Sequence, residues 1–352
     1  MNKKWKSVSE LRFIRWLAIA LILLILVPLV WQTIAIRRAD DAAAAEEGAR
    51  IVESVANGRL DAAWRIAENF IGNEHASADS LQAAGDAFLA AGSPQEAYLL
   101  YFSALRKASS GGTLRRLAEA SLALGRSADA ALFARRAVAE GAGGKAGNLL
   151  LARCLVAAGR SAEAVTICSS LLERYPGDPD VLSGKAEAFQ SIDRYAQALA
   201  LWDSYLDVVA EPATGEEKAA RLHVSVQRLL CLEGTGDAAG ALAGWNALLA
   251  EAVASGDVDA RRAALSGRAD LRSGAGAYAE AEADLRGLLQ VAPAEERTDV
   301  RLRIALCLHR QGRAADVVSF LAPYAASEPD LLALLFTDDR FEPLRGYFQP
   351  AA

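Results

Sequence analysis

The stretch LLARCLVAAGRSAEAVTICSSLLERYPGDP, residues 150–179, decides the fold. It reads as helix, tight turn, helix, stop. Ala152 and Leu155 share one face of the first helix, and Ala164, Cys168 and Leu171 share one face of the second. Gly159 stands between them, where a residue free to take positive φ can reverse the chain. Pro176 falls where the second helix must end.

The same plan recurs on both sides of this stretch. Gly58, Gly92, Gly125, Gly159, Gly236, Gly276 and Gly312 each close a short helical segment, and Asp193 fills the slot between Gly159 and Gly236. The first five slots are spaced 34, 33, 34 and 34 residues apart, the later ones 43, 40 and 36. Five residues past each slot stands Ala63, Ala97, Ala130, Ala164, Ala198, Ala241 or Ala281, with Val317 at the last. Such a small residue lets the second helix approach the first closely. An apolar stripe follows one turn later: Tyr101, Ala134, Cys168, Trp202, Trp245, Leu285 and Leu321. Seven residues before the slot stands a small residue in most units, Gly85 and Ala152 among them.

Composition agrees. Hydrophobic types make up 53% of the 352 residues and aromatics only 7%, and prolines number 10. An Ala- and Leu-rich chain without period-2 alternation favours helices over sheet. The expected fold class is therefore all-α.

Small residue, aromatic or Leu, Gly, Ala, aromatic, Ala and Pro at these offsets resembles the tetratricopeptide repeat (TPR). AAGDAFLAAGSPQEAYLLYFSAL (83–105) and residues 150–179 are the clearest copies. The resemblance implies a right-handed superhelical solenoid of about eight hairpins over residues 44–326. The unit at 44 departs most, with Arg50 and Glu53 at apolar or small slots. The units at 222 and 262 carry Arg228, Arg268 and Arg272 at such slots. The stretches 207–221 and 250–261 lengthen the period and read as exposed linkers or longer helices, with a hinge near 207–221. Residues 327–352 read as a capping helix and tail, because a solenoid must shield its last apolar face.

Residues 16–36 contain no charge. At about 1.5 Å per residue the run spans a hydrocarbon layer of about 30 Å. Trp16 and Trp31 lie near its ends. The reading is one retained transmembrane helix, then a linker at 37–43. Five basic residues precede the span and two, Arg37 and Arg38, follow it. The positive-inside rule then leaves residues 1–15 as a cytoplasmic basic tail and the repeats across the membrane. The expected location is a bacterial inner membrane, crossed once, with periplasmic repeats.

Residues 1–38 hold seven basic residues and one acid, leaving 31 basic and 43 acidic residues on the rest. So acidic a domain repels phosphate backbones, and no nucleic-acid partner is expected. Cys154, Cys231 and Cys307 fall in a small slot held elsewhere by Ala, and Cys168 in the apolar stripe. They read as buried free thiols, with Cys154 and Cys168 the one pair left open. His75, His223 and His309 are scattered and read as solvated helix positions. GTGDAAG (234–240) and GAGGKA (141–146) lack the spacing of phosphate-binding loops. No catalytic, cofactor or metal residues are expected.

The TPR resemblance also implies a groove lined by the first helices. Their exposed slots hold Gln82, Asp86, Arg115, Glu119, Arg153, Ser183, Glu187 and Gln190. This mixture suits a peptide or a helix of a protein partner. The Asn and Lys pairs that clamp a C-terminal carboxylate in some TPR domains are missing. The expected function is a non-enzymatic, membrane-anchored interaction scaffold, in envelope assembly, secretion, or flagellar or pilus machinery. The alternatives are a client-holding or translocon-associated chaperone, which wants a more apolar groove, and a cytoplasm-facing regulator. Oligomeric state is left open.

Overall fold

The computed structural model describes the backbone of residues 4–209 and 214–348, and the side chains of that range from residue 24 on, except residues 25, 326 and 329. Every regular element among the described residues is helical. The chain divides into two compact units, Met1–Ala164 and Val165–Ala352.

The first unit opens with α1 (Lys4–Ala56), a single helix of 53 residues with Pro28 inside it. Residues 37–43, expected as a linker, are helical and belong to α1. The uncharged run 16–36 also lies in α1, but the side chains of residues 16–23 and 25 are outside the described residues. Among the described residues no helix is long and apolar enough to cross a membrane. The C-terminal part of α1 pairs with α2 (Leu60–Gly72). Then follow α3 (Ala78–Ala90) with α4 (Pro94–Lys107), α5 (Gly111–Ala123) with α6 (Ser127–Ala137), then α7 (Gly144–Ala157) and the start of α8 (Ser161–Arg174).

The second unit holds the rest of α8, then α9 (Pro179–Gln190) with α10 (Tyr195–Val208), and α11 (Gly215–Gly234) with α12 (Ala238–Ser255). It continues with α13 (Val258–Gly274) and α14 (Tyr278–Val291), then α15 (Arg297–Arg310) and α16 (Ala314–Ser327). Helix α17 (Pro329–Thr337) and a 3-10 stretch (Asp339–Tyr347) follow, burying Leu331, Leu335, Phe341 and Leu344. Of the stretch 207–221, residues 210–213 lie outside the described residues. The longer period is taken up in helix: α11, α12 and α13 have 20, 18 and 17 residues.

The turns explain the register. All eight slot residues are left-handed, from Asp193 at φ +56° to Gly236 at φ +86°. Each turn closes with the same two bonds. Gly92 N–H donates to Leu89 O at 3.1 Å and Ser93 N–H to Phe88 O at 2.9 Å. Around Asp193 the pair is Asp193 N–H to Gln190 O at 3.0 Å and Arg194 N–H to Phe189 O at 2.9 Å. This pairing satisfies the last carbonyls of the first helix and fixes where the second begins.

The small column is completely buried: Ala63, Ala97, Ala130, Ala164, Ala198, Ala241, Ala281 and Val317 are all at 0% exposure. Tyr101, Trp202 and Trp245 pack behind it as the largest buried rings. Gly85 shows how tight the fit is, since a Cβ there would lie 2.5 Å from the Tyr101 ring. In the first hairpin Ile51 and Val55 of α1 bury against α2, while Arg50 pairs outward with Glu46 at 3.3 Å. The stretch 141–147 also has a packing role. A Cβ on Gly147 would fall 2.0 Å from Ala142 O, so only glycine fits beneath the π-type turn Val138–Ala142.

Candidate partner-binding grooves

In the first unit, first-helix side chains knit neighbouring hairpins. Asp86 of α3 accepts from the Tyr101 hydroxyl and from Arg116 Nε of α5, both at 2.7 Å. Arg116 also donates to Gln82 Oε1 at 3.1 Å. Burial, then the bond to Asp86, pushes the Tyr101 hydroxyl far above its ordinary pKa. Asp86 and Gln82 are thus engaged inside the unit. Arg115 and Glu119 face each other along α5 at 3.9 Å, and Arg153 of α7 is exposed.

In the second unit, Ser183 donates to Glu187 Oε1 at 3.3 Å. Gln190 accepts from Trp202 Nε1 at 2.8 Å and donates to Gln227 Oε1 at 3.0 Å, tying α9, α10 and α11 together. Glu187 and Gln190 line a cavity of about 660 Å³ with Tyr195, His223, Leu230 and Glu233. A second cavity of about 1010 Å³ lies along α11, α13 and α15, its walls including Lys218, Leu222, His223, Arg262, Asp299 and Arg303. Arg303 bonds Asp270 at 2.7 Å, and Asp299 is also held by Arg340 of the C-terminal cap at 2.9 Å.

Of the expected groove residues, then, the structure brings Glu187 and Gln190 to one cavity and ties Gln82 and Asp86 through Arg116. Arg116, Gln227 and His223 join these sites without standing in the exposed slots that the register marks. The clue for Arg116 was its neighbour: Arg115 and Arg116 point to different sides of α5, and the side next to α3 is the one that meets Asp86. For α11, the 43-residue spacing was the signal that a longer helix brings more residues into the groove.

Two expectations about polar residues need correcting. His75 is not a solvated helix residue. It sits in the α2–α3 loop, with Nδ1 3.0 Å from Asp41 and Nε2 3.7 Å from both Asp40 and Glu74. His309 packs edge-on against Tyr347 and meets its hydroxyl at 3.0 Å. The arginines at apolar slots are not misplaced either. Arg268 and Arg272 both reach buried Asp284, at 2.9 and 2.6 Å, and Arg228 reaches Asp203 at 2.6 Å. All four cysteines are free and buried. Burial pushes Cys154, Cys168 and Cys231 up to about 11. Among the described residues no group of three or more His, Cys, Asp or Glu is placed to hold a metal ion.

Comparison with known proteins agrees with this architecture. Residues 122–188 match the family described as tetratricopeptide repeat. A tetratricopeptide repeat protein from Parabacteroides merdae is similar in structure, at TM-score 0.54 and 16% identity, over 73% of this chain and 97% of its own. The C-terminal part of a TPR repeat-containing protein from Cytophaga hutchinsonii aligns at TM-score 0.46 and 12% identity, over 72% and 98% of the two chains. No curated protein sequence matches the chain. With eight slots in register and the same turn geometry throughout, the chain carries the tetratricopeptide-repeat fold, and residues 122–188 match that family directly.

Proposed function

We propose that this protein is a membrane-anchored interaction scaffold, in which α1 fixes the repeats to a bilayer and their first-helix grooves receive segments of partner proteins. The observation that carries the reading is the apolar segment of α1. Leu24 and Trp31 are each 74% exposed, and Leu26, Val27, Leu29, Val30, Ile34 and Ile36 are exposed between and beyond them. Among the described residues this segment is predominantly apolar and exposed, which suits a helix surrounded by lipid. Thr33 donates to Leu29 O at 2.7 Å, satisfying its hydroxyl within the helix as a lipid environment demands. The flanking charges, five basic residues before the run and two after it, support repeats on the far side of the membrane from the N-terminus. The grooves support partner binding by their polar and charged lining.

The test is fractionation of cells expressing the full chain, followed by capture of partners from detergent extracts. The protein is expected to resist alkaline extraction from membranes and to bring down specific proteins. Release by alkali would overturn the anchor, and repeated isolation without any partner would overturn the scaffold. A reporter fused after Ala352 reads the side of the membrane.

A further inference from the structure

The cavity of about 660 Å³ between α9 and α11 has an unusual charge balance. Its lining includes two carboxylates, Glu187 and Glu233, and no lysine or arginine. Among the described residues, no basic side chain forms an ion pair with either. Glu187 is met by Ser183 at 3.3 Å, and Glu233 by the Trp245 indole N–H at 2.6 Å.

The Glu233 carboxylate has a neutral counterpart in the preceding repeat, Gln190. Gln190 and Glu233 each stand three residues before a left-handed turn residue, Asp193 and Gly236. Each accepts the indole N–H of the tryptophan nine residues past that turn, Trp202 or Trp245. A neutral amide therefore does the structural task in one repeat that a carboxylate does in the next. Burial, and then the nearby charge of Asp270, raise the Glu233 pKa against the opposing bond from Trp245. The site holds a charge that its surroundings oppose and that a cation would stabilise.

The neighbouring cavity, which shares His223, has the same sign. Asp257, Asp259, Glu295, Glu296 and Asp299 outnumber its lysine and arginines. Its Arg262 is already within 3.8 Å of Glu296 and 3.7 Å of Asp259. Leu230 and Tyr195 add apolar and aromatic surface to the smaller cavity, suited to the methylene stem of a long basic side chain.

We propose that this cavity takes a lysine or arginine side chain projecting from a basic segment of the partner protein. The assignment rests on the scaffold reading above. An acidic segment would be repelled, and an apolar one would bury Glu187 and Glu233 without a counter-charge.

The test uses the full chain in a neutral detergent, with labelled oligolysine and oligoglutamate peptides of equal length read by fluorescence anisotropy. The cavity variant is Glu187→Gln/Glu233→Gln, in which the introduced amide keeps an acceptor for Trp245. The control, Glu68→Gln/Asp129→Asn, removes the same charge from two exposed positions in the first unit. Oligolysine should bind about tenfold more weakly to the cavity variant and unchanged to the control, as expected for loss of charge-assisted hydrogen bonds. Oligoglutamate should not bind. Equal weakening in both variants, or none in the cavity variant, overturns the assignment. A second readout needs no variant: oligolysine should shift the Trp245 indole N–H resonance, and an unmoved resonance overturns the assignment as well. Partner capture separates the two proposals. Capture undiminished by the cavity variant retains the scaffold and sinks the cation pocket, whereas no capture sinks both.

Discussion

Asp193 is the one non-glycine residue with positive φ among the described residues, at +56°. Asp tolerates this conformation because its short side chain bonds locally, here by accepting from the Tyr195 hydroxyl at 2.8 Å. A β-branched residue has no such outlet. Asp193→Val should cost about 1–2 kcal/mol in chemical denaturation, and Asp193→Asn much less. Gly85 is constrained from outside rather than by its backbone. Gly85→Ala puts a methyl against the Tyr101 ring and should cost about 1–3 kcal/mol, although Ala occupies the same register in most other repeats. The cysteines give a third residue-scale expectation. With Cys154, Cys168 and Cys231 pushed up to about 11 by burial, thiolate is scarce at neutral pH. A thiol-reactive dye should modify the native protein slowly and all four cysteines rapidly once it is unfolded.

At the scale of elements, the hairpins were legible because their signals are local. Turn residue, small residue and apolar stripe lie within one helix pair, and the turn geometry repeats at every slot. Asp193 could be read as a turn by period alone, but not the reason Gly85 is glycine, which depends on where the Tyr101 ring lies. The arginine slots were illegible for a similar reason. Arg268 and Arg272 look wrong in a helix register until Asp284 of α14, at 4% exposure, is placed opposite them. Asp284→Asn should destabilise the second unit by about 3 kcal/mol, because two cations are left partly buried without their acid. Glu282, in the same helix, is opposed by burial. The bonds from Gln311 and Arg286 and the charges of Arg286 and Arg313 outweigh this and leave its pKa lowered. A depressed carboxylate stabilises the fold above its unfolded pKa of about 4.3, and that contribution is lost as pH falls through the folded value. The stability gap between wild type and Glu282→Gln should therefore be full at neutral pH and shrink in acid below about pH 4, as read by denaturant midpoints.

At the scale of the molecule, burial is organised in separate clusters. One, around Phe70, Phe88 and Tyr101, lies in the first unit. Another, around Leu285, Leu308 and Phe341, lies in the second. Stability in repeat proteins is a sum of local terms. Asp284→Asn should accordingly speed amide exchange in α13–α15 while α3–α5 keep their protection, as measured by hydrogen-exchange mass spectrometry. The candidate groove was only partly legible from sequence, because a groove is made by side chains from three or four helices. Register alone placed Glu187 and Gln190 on α9, but the longer α11 brought His223, Gln227 and Glu233 beside them.

Helix α1 has a mechanical consequence. From Ile36 to Ala56 it runs on for about 30 Å without a break, and its far end packs into the first hairpin through Ile51 and Val55. On the membrane-anchored reading there is no joint between bilayer and repeat. A change in lipid thickness that tilts the span tilts the first hairpin through the same angle, so the bilayer becomes the short arm of a lever and the first repeat its load.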